Sequence, residues 1–195
     1  MSTIKEIKSV LALKCVGIAG AGGLGSNVAA MLIRSGVGKL IIADFDTVSL
    51  QNLGRQFFFK DQIGMPKVEA LRDNLLLIEP DAVLQIHCVK VSPENIPLLF
   101  STCDAVVEAL DEASEKMSFI GELTSELPDI PLVAGSGLGG VGGFEKISVV
   151  KSGNLIICGD FESEVSEDLP PLAPKVTAVA ALQADTVIRI LMDEV

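Results

Sequence analysis

The chain has 195 residues, 49% of them hydrophobic and 21% charged, long enough for one domain to bury a core without disulfide or metal staples. Its net charge of −11 argues against a broad basic face, so neither nucleic acid nor an anionic membrane surface is an expected partner. With no Tyr, no Trp and a single His, the composition excludes Tyr-dependent hydride-transfer pairs and multi-His metal sites, and leaves any Ser-His-Asp hydrolase only His87 as its base.

In chain order, Ile4, Ile7, Val10 and Leu11 recur at helical spacing and predict a short amphipathic helix over 3–13. Lys14 interrupts the next apolar stretch, so no signal peptide is expected; nor is a membrane span, since no run of about twenty apolar residues occurs. Cys15-Val16-Gly17-Ile18-Ala19 reads as a buried strand running into a Gly-rich turn and a helix to about Arg34, and Lys39-Leu40-Ile41-Ile42-Ala43 as a second strand ending at Asp44. Together they make a parallel crossover unit. Helices are expected over 66–79, 95–100, 112–127 and 175–192, and strands over 82–89, 105–107 and 131–134. Two further extended runs, 147–150 and 155–157, flank a Ser-Gly-Asn turn and predict an antiparallel hairpin. The fold class expected is α/β: a Rossmann-like, mostly parallel sheet with helices on both faces and an antiparallel C-terminal extension, forming a single domain over 1–195. Residues 160–168, acidic and leading into a Pro-rich run, form the one long irregular segment and a candidate flap.

Gly20-x-Gly22-x-x-Gly25 comes after a strand and opens a helix, so backbone N–H groups and the helix N-terminus, with Gly23 between them, can approach a phosphate. Asp44 stands nineteen residues beyond Gly25 at the end of the next strand, where a carboxylate can accept hydrogen bonds from ribose hydroxyls. These features alone would suit a dinucleotide-dependent dehydrogenase. The residues after Asp44 point elsewhere: Asp46, Asn52, Arg55 and Gln56 carry polar and cationic groups past the ribose position, and Lys67 falls in the first turn of a helix. Arg55 and Lys67 then either converge on a triphosphate or are solvated surface cations.

The succession Gly-Ala-Gly-Gly-Leu-Gly-Ser, Gly36-Val37-Gly38, Asp44-Phe45-Asp46-Thr47-Val48, Asn52-Leu53-x-Arg55-Gln56 and Gly64-x-x-Lys67 strongly resembles the ThiF, MoeB and HesA family of adenylating enzymes related to ubiquitin activators. The resemblance is dense over roughly the first 80 residues and thinner beyond. It implies ATP and Mg2+ as cofactors and adenylation of the C-terminal carboxylate of a small sulfur carrier, with release of pyrophosphate. Asp44 would hold the ribose; Asn52, Arg55 and Gln56 would line the phosphate and reaction region; Lys67 would contact phosphates; Asp111 would be the magnesium ligand. Such chemistry needs no His, Ser or Tyr, because the attacking carboxylate is already a nucleophile; charge neutralisation and in-line positioning are what the protein must supply.

Two Cys-x-x-Cys pairs hold structural zinc in relatives such as MoeB; this chain has none, so no zinc is expected. The stretch before the first strand is short for the segment that supplies an Arg to a partner subunit in those relatives. Cys158-Gly159-Asp160, Ala173-Pro174-Lys175-Val176 and Leu182-Gln183-Ala184 are similar to the short ThiF-like branch of thiamine biosynthesis, which implies a ThiS-like carrier; the family resemblance as a whole implies a homodimer. Cys158 is either a transfer nucleophile in an acyl-persulfide link or a buried strand-end thiol. Cys15, Cys88 and Cys103 read as core thiols, and a reducing cytoplasm as the compartment. The glycine-rich run 135–143 is either a flexible connection or a slot for an extended Gly-Gly tail. Alternatives within reach of the sequence are an activator of another ubiquitin-like carrier, a tRNA-acting relative, and a nucleotide-binding regulator without turnover. Residues 1–107 are electrically neutral, whereas 108–129 carry net −6 and 160–168 net −5, so a carrier with a basic face is expected there.

Overall fold

A computed structural model describes residues 3–193; the ends of the expected 1–195 span, 1–2 and 194–195, lie outside the described residues. A capping box, in which Thr3 Oγ1 accepts from Glu6 N and the Glu6 carboxylate accepts from Thr3 N, starts α1 (Ile4–Leu11). Next come β1 (Cys15–Ala19), α2 (Gly23–Ser35), β2 (Lys39–Ala43), two 3₁₀ turns at Leu50–Gly54 and Lys60–Gln62, α3 (Lys67–Leu76) and β3 (Val83–His87). The second half contains α4 (Ile96–Phe100), β4 (Ala105–Glu108), α5 (Ala113–Glu126), β5 (Leu132–Ser136), β6 (Ser148–Ser152), β7 (Leu155–Gly159) and α6 (Ala173–Leu191).

The seven strands form one sheet in the order β3-β2-β1-β4-β5-β7-β6, parallel except for β6, which pairs antiparallel with β7. β1 is buried at all five positions because helices cover both faces of a central parallel strand. Alternation then divides the core. Val16 and Ile18 point to a layer with α1, α2, α3 and α6, and Cys15 and Ala19 to a second with α4 and α5. Pro174 sits in the first turn of α6, where its missing N–H costs nothing, so this helix begins two residues earlier than expected from the sequence. β4 and β5 are each longer than expected, because Glu108 and Ser136 continue the extended backbone into polar positions. Among the described residues no helix is long and apolar enough to cross a membrane.

β2 and β3 lie on one side of β1, and the chain then crosses to place β4 on the other. This reversal opens a crevice at the carboxyl ends of β1 and β4, the place where doubly wound sheets bind ligands.

Candidate functional site

A cavity of about 710 Å³ fills that crevice, within the range of small-molecule and cofactor sites. Its floor is the Gly-rich turn. Gly20 adopts φ +96°, and a Cβ there would sit 2.5 Å from Ala109 O; a Cβ on Gly25 would fall 1.9 Å from Gly20 O. These two glycines let α2 start directly under the turn, and Gly25 does not itself line the cavity. Gly22 differs: a Cβ would meet nothing of the protein nearer than Gln56 Nε2 at 3.8 Å. The space above Gly22 is thus left for a ligand, and it adjoins the N-terminus of the 13-residue α2. Gly23 is closed in on its outer side by Val176 and the Arg55 stem.

Asp44 is 9% exposed at the end of β2. Its Oδ2 accepts from Ala21 N at 2.6 Å and its Oδ1 from Asp46 N at 2.8 Å, so it pins the Gly-rich turn to the next loop while facing the cavity. Each oxygen keeps a lone pair for a ribose hydroxyl. Lys67 departs from a free phosphate cation. Its side chain is 7% exposed, and Nζ lies 2.7 Å from Asp46 Oδ2. The Asp46 carboxylate gives the buried ammonium a fixed partner, and the backbone bond from Lys67 N to Asp46 O holds the two residues in register. Arg55 remains available: its nearest acceptor is Gln51 O, 3.4 Å from Nη1, and among the described residues no carboxylate lies within ion-pair distance of it. Asn27 Nδ2 holds this corner together by donating to both Gly23 O and Arg55 O. Gln56 lines the cavity beside Gly22, and its buried Oε1 has no partner among the described residues. Asn52 is not in the wall; its Oδ1 accepts from Ser49 N and caps the first 3₁₀ turn. Asp111 is exposed at the cavity rim, its Oδ1 engaged only with Glu112 N at 3.1 Å.

Cys158 stands apart. It is fully buried on β7, facing α6, with Sγ 3.6 Å from Thr186 Oγ1, and burial pushes its thiol up. It lines no part of the cavity. Hence the transfer-nucleophile expectation gives way to the packing one for a physical reason: a thiol without solvent access and with a raised pKa is a poor nucleophile.

Three features of the wall have no counterpart among the sequence expectations. Glu108, entirely buried, accepts from Leu110 N through Oε1 and from Lys116 Nζ through Oε2, and Lys116 also donates to Gly135 O. Burial pushes the Glu108 carboxyl up, against the opposing pull of Lys116. Lys116 thereby links the ends of β4 and β5, and the signal for it was an acid closing a wholly apolar strand. At the opposite rim, Lys90 lies 5.6 Å from the Phe45 ring centroid and 2.6 Å from Glu115, joining the loops after β2 and β3 to the first turn of α5. Third, the glycine-rich run is ordered against the acidic segment. Gly139 N donates to Ser163 O, Gly140 N to Pro170 O, and Lys175 Nζ to Gly139 O; the flap reading survives only in that Glu164 and Val165 reach the cavity.

Among the described residues no three His, Cys, Asp or Glu side chains gather to hold a metal by themselves. The donors at hand, Asp111 together with phosphate oxygens, suit magnesium, which keeps several waters and takes few protein ligands. Open Gly22, the unpartnered Gln56 Oε1 and an available guanidinium likewise fit a nucleoside triphosphate.

Fold and cavity define a doubly wound α/β protein of the Rossmann type. The model of the ThiF family matches residues 5–194, and the chain belongs to that family. It is 47% identical over 74 residues to ubiquitin-like modifier-activating enzyme 5 of Caenorhabditis elegans, a match covering 38% of this chain and 18% of the relative. It is 37% identical over 135 residues to adenylyltransferase and sulfurtransferase MOCS3 of Caenorhabditis briggsae, covering 69% and 32%. The chain thus spans about a fifth to a third of the length of these relatives. In fold it is similar to the E. coli tRNA N6-threonylcarbamoyladenosine dehydratase TcdA in complex with ATP, with a TM-score of 0.87 at 20% identity over 97% of this chain and 90% of that one. E. coli MccB with ATP is also similar, at a TM-score of 0.74 and 20% identity, over 97% and 59%.

Proposed function

We propose that this chain binds ATP with magnesium in the cavity and adenylates the C-terminal carboxylate of a small ubiquitin-like protein, a ThiS-like sulfur carrier in particular. The observation that carries this reading is that Arg55, which among the described residues has no carboxylate partner, lines the same cavity as the open backbone of Gly22. The names of the relatives, an activating enzyme for a ubiquitin-like modifier and an adenylyltransferase, support the reaction class.

In this reading the Gly22 and Gly23 N–H groups and Arg55 receive the phosphates, where opposite unit charges 4 Å apart attract by about 4 kcal/mol at an effective dielectric near 20. Asp44 orients the ribose. Asp46 keeps the Lys67 ammonium at the wall, so that its charge is positioned before the substrate arrives. Asp111 would hold the magnesium, which when bound would supply charge neutralisation on the triphosphate. The carrier carboxylate attacks the α-phosphorus without a protein base, and the protein contributes alignment and charge stabilisation. Acids of the rim, Glu112, Glu115 and Glu164, favour a carrier that brings basic groups and disfavour a nucleic-acid substrate.

Exchange of labelled pyrophosphate into ATP, measured with the carrier present, tests the reading. Arg55→Ala should lower it by about 100-fold, the scale seen when a preorganised charge donor is removed. Exchange unchanged in Arg55→Ala would overturn the assignment of that residue. ATP binding without any exchange would favour the non-catalytic regulator.

A further inference from the structure

At the other end of the same strands, far from the nucleotide machinery, two thiols face one another. Cys15 is the first residue of β1, and Cys103 lies in the turn between α4 and β4, where its N–H donates to Phe100 O. Their sulfurs are 4.0 Å apart, although the residues are separated by 88 positions in the chain. The backbone frame that presents them is fixed on both sides: Asp104 N donates to Cys15 O at 2.8 Å, and Cys15 N donates to Asp104 Oδ2 at 2.8 Å. Both side chains share the apolar layer that contains Phe100, yet each keeps a sliver of surface, 9% for Cys15 and 7% for Cys103. Cys158, by contrast, has none.

We propose that Cys15 and Cys103 form an oxidant-reactive dithiol, a modification site that a hydroperoxide converts into an intrachain disulfide tying β1 to the entrance of β4. Bond formation requires the sulfurs to close from 4.0 Å to about 2.05 Å, between backbones already joined by the two hydrogen bonds of Cys15 with Asp104. The surroundings favour the thiolate on one of the two. Contact with Cys103, and then the charge of Lys39 beside it on β2, hold the Cys15 thiol down at about 7, against burial and Asp104. The contact with Cys15 and burial push Cys103 up. With Lys39 as its register partner on β2, Cys15 is assigned as the attacking thiol and Cys103 as the resolving one.

The chemistry balances with one peroxide. The Cys15 thiolate attacks a peroxide oxygen, the O–O bond breaks, and the departing hydroxide takes up a proton as water, leaving a sulfenic acid. The Cys103 sulfur, losing its proton, attacks the Cys15 sulfur; the S–O bond breaks and a second water leaves. Two thiols are oxidised and one hydrogen peroxide is reduced to two waters; an organic hydroperoxide would leave as its alcohol in the first step. The product staples the amino-terminal ends of the two strands whose other ends carry Gly20 and Glu108, and thiol reductants reverse it. This inference stands independently of the nucleotide reading.

The test uses the full chain with Cys88→Ser, which removes the one exposed thiol and leaves Cys15, Cys103 and Cys158. After treatment with hydrogen peroxide, the count of free thiols in denaturant should fall from three to one, and peptide mapping should find Cys15 joined to Cys103, with dithiothreitol restoring all three. Adding Cys103→Ser should trap a sulfenic acid on Cys15 that dimedone labels. Three thiols surviving oxidation, a cross-link through Cys158, or no dimedone label at Cys15 would each overturn the proposal.

Discussion

Single atoms separate the glycines of the turn into two kinds. On Gly25 a methyl group would overlap the Gly20 carbonyl, so Gly25→Ala should lower the unfolding free energy by about 1–3 kcal/mol, or more if α2 cannot shift, as read from urea titrations. Gly22→Ala meets no protein atom within 3.4 Å and should cost only about 1 kcal/mol as a poorer cap, yet weaken ATP binding by at least about tenfold by filling the phosphate space. Equal stability losses with equal ATP affinities would contradict this division. Cys158→Ser places a hydroxyl beside Thr186 in a closed apolar layer, and should lower stability by roughly 1 kcal/mol while leaving pyrophosphate exchange unchanged. Loss of exchange in a folded Cys158→Ser chain would restore Cys158 to the reaction.

The buried ion pair between Asp160 and Lys175 links the segment after β7 to α6 and, through Gly139, to the glycine-rich loop. Burial alone would raise the Asp160 carboxyl, but hydrogen bonds from Lys175, Ser163 and Glu162 outweigh it and hold the group well below the usual carboxylate range. A depressed carboxylate stabilises the fold above its unfolded value, near 3.9, and loses that contribution as pH falls through the folded value. The urea midpoint of the native chain should therefore fall more steeply below about pH 4 than that of Asp160→Asn. Lys175→Met leaves the buried carboxylate without its cation, keeping only the donors of Glu162 and Ser163, and should cost about 3–5 kcal/mol as read from urea titrations. The elements themselves were legible in the sequence because their signals are local: five apolar residues before a Gly-rich turn, helical periodicity, a Ser-Gly-Asn turn between two β-branched runs. Their ends were less so, since Glu108 and Ser136 are held in strands by partners, Lys116 and the β7 backbone, that only the folded chain supplies. Asp44, Arg55, Gln56 and Lys67, singled out by their place after the Gly-rich turn, and Asp111, named through the family resemblance, all line the cavity. The pairing of Lys67 with Asp46, the diversion of Asn52 into a cap and the burial of Cys158 were not readable before the fold was known, because each depends on a partner distant in the chain or on local turn geometry.

Over the whole molecule, the excess of acid falls in two segments, 108–129 and 160–168, and the structure brings Glu112, Glu115 and Glu164 from them to one cavity. A carrier steered by this field should associate more slowly as ionic strength rises and the screening length shortens from about 30 Å at 0.01 M to about 8 Å at 0.15 M. A rate that does not change with salt would remove electrostatics from the encounter. The most direct measurement of the central claim is pyrophosphate exchange into ATP with a panel of small carrier proteins, each offered with its Gly-Gly terminus intact and with the last glycine removed. The account predicts exchange that requires both this chain and an intact carrier terminus. Exchange with no carrier present, or none with any intact carrier despite bound ATP, would contradict it.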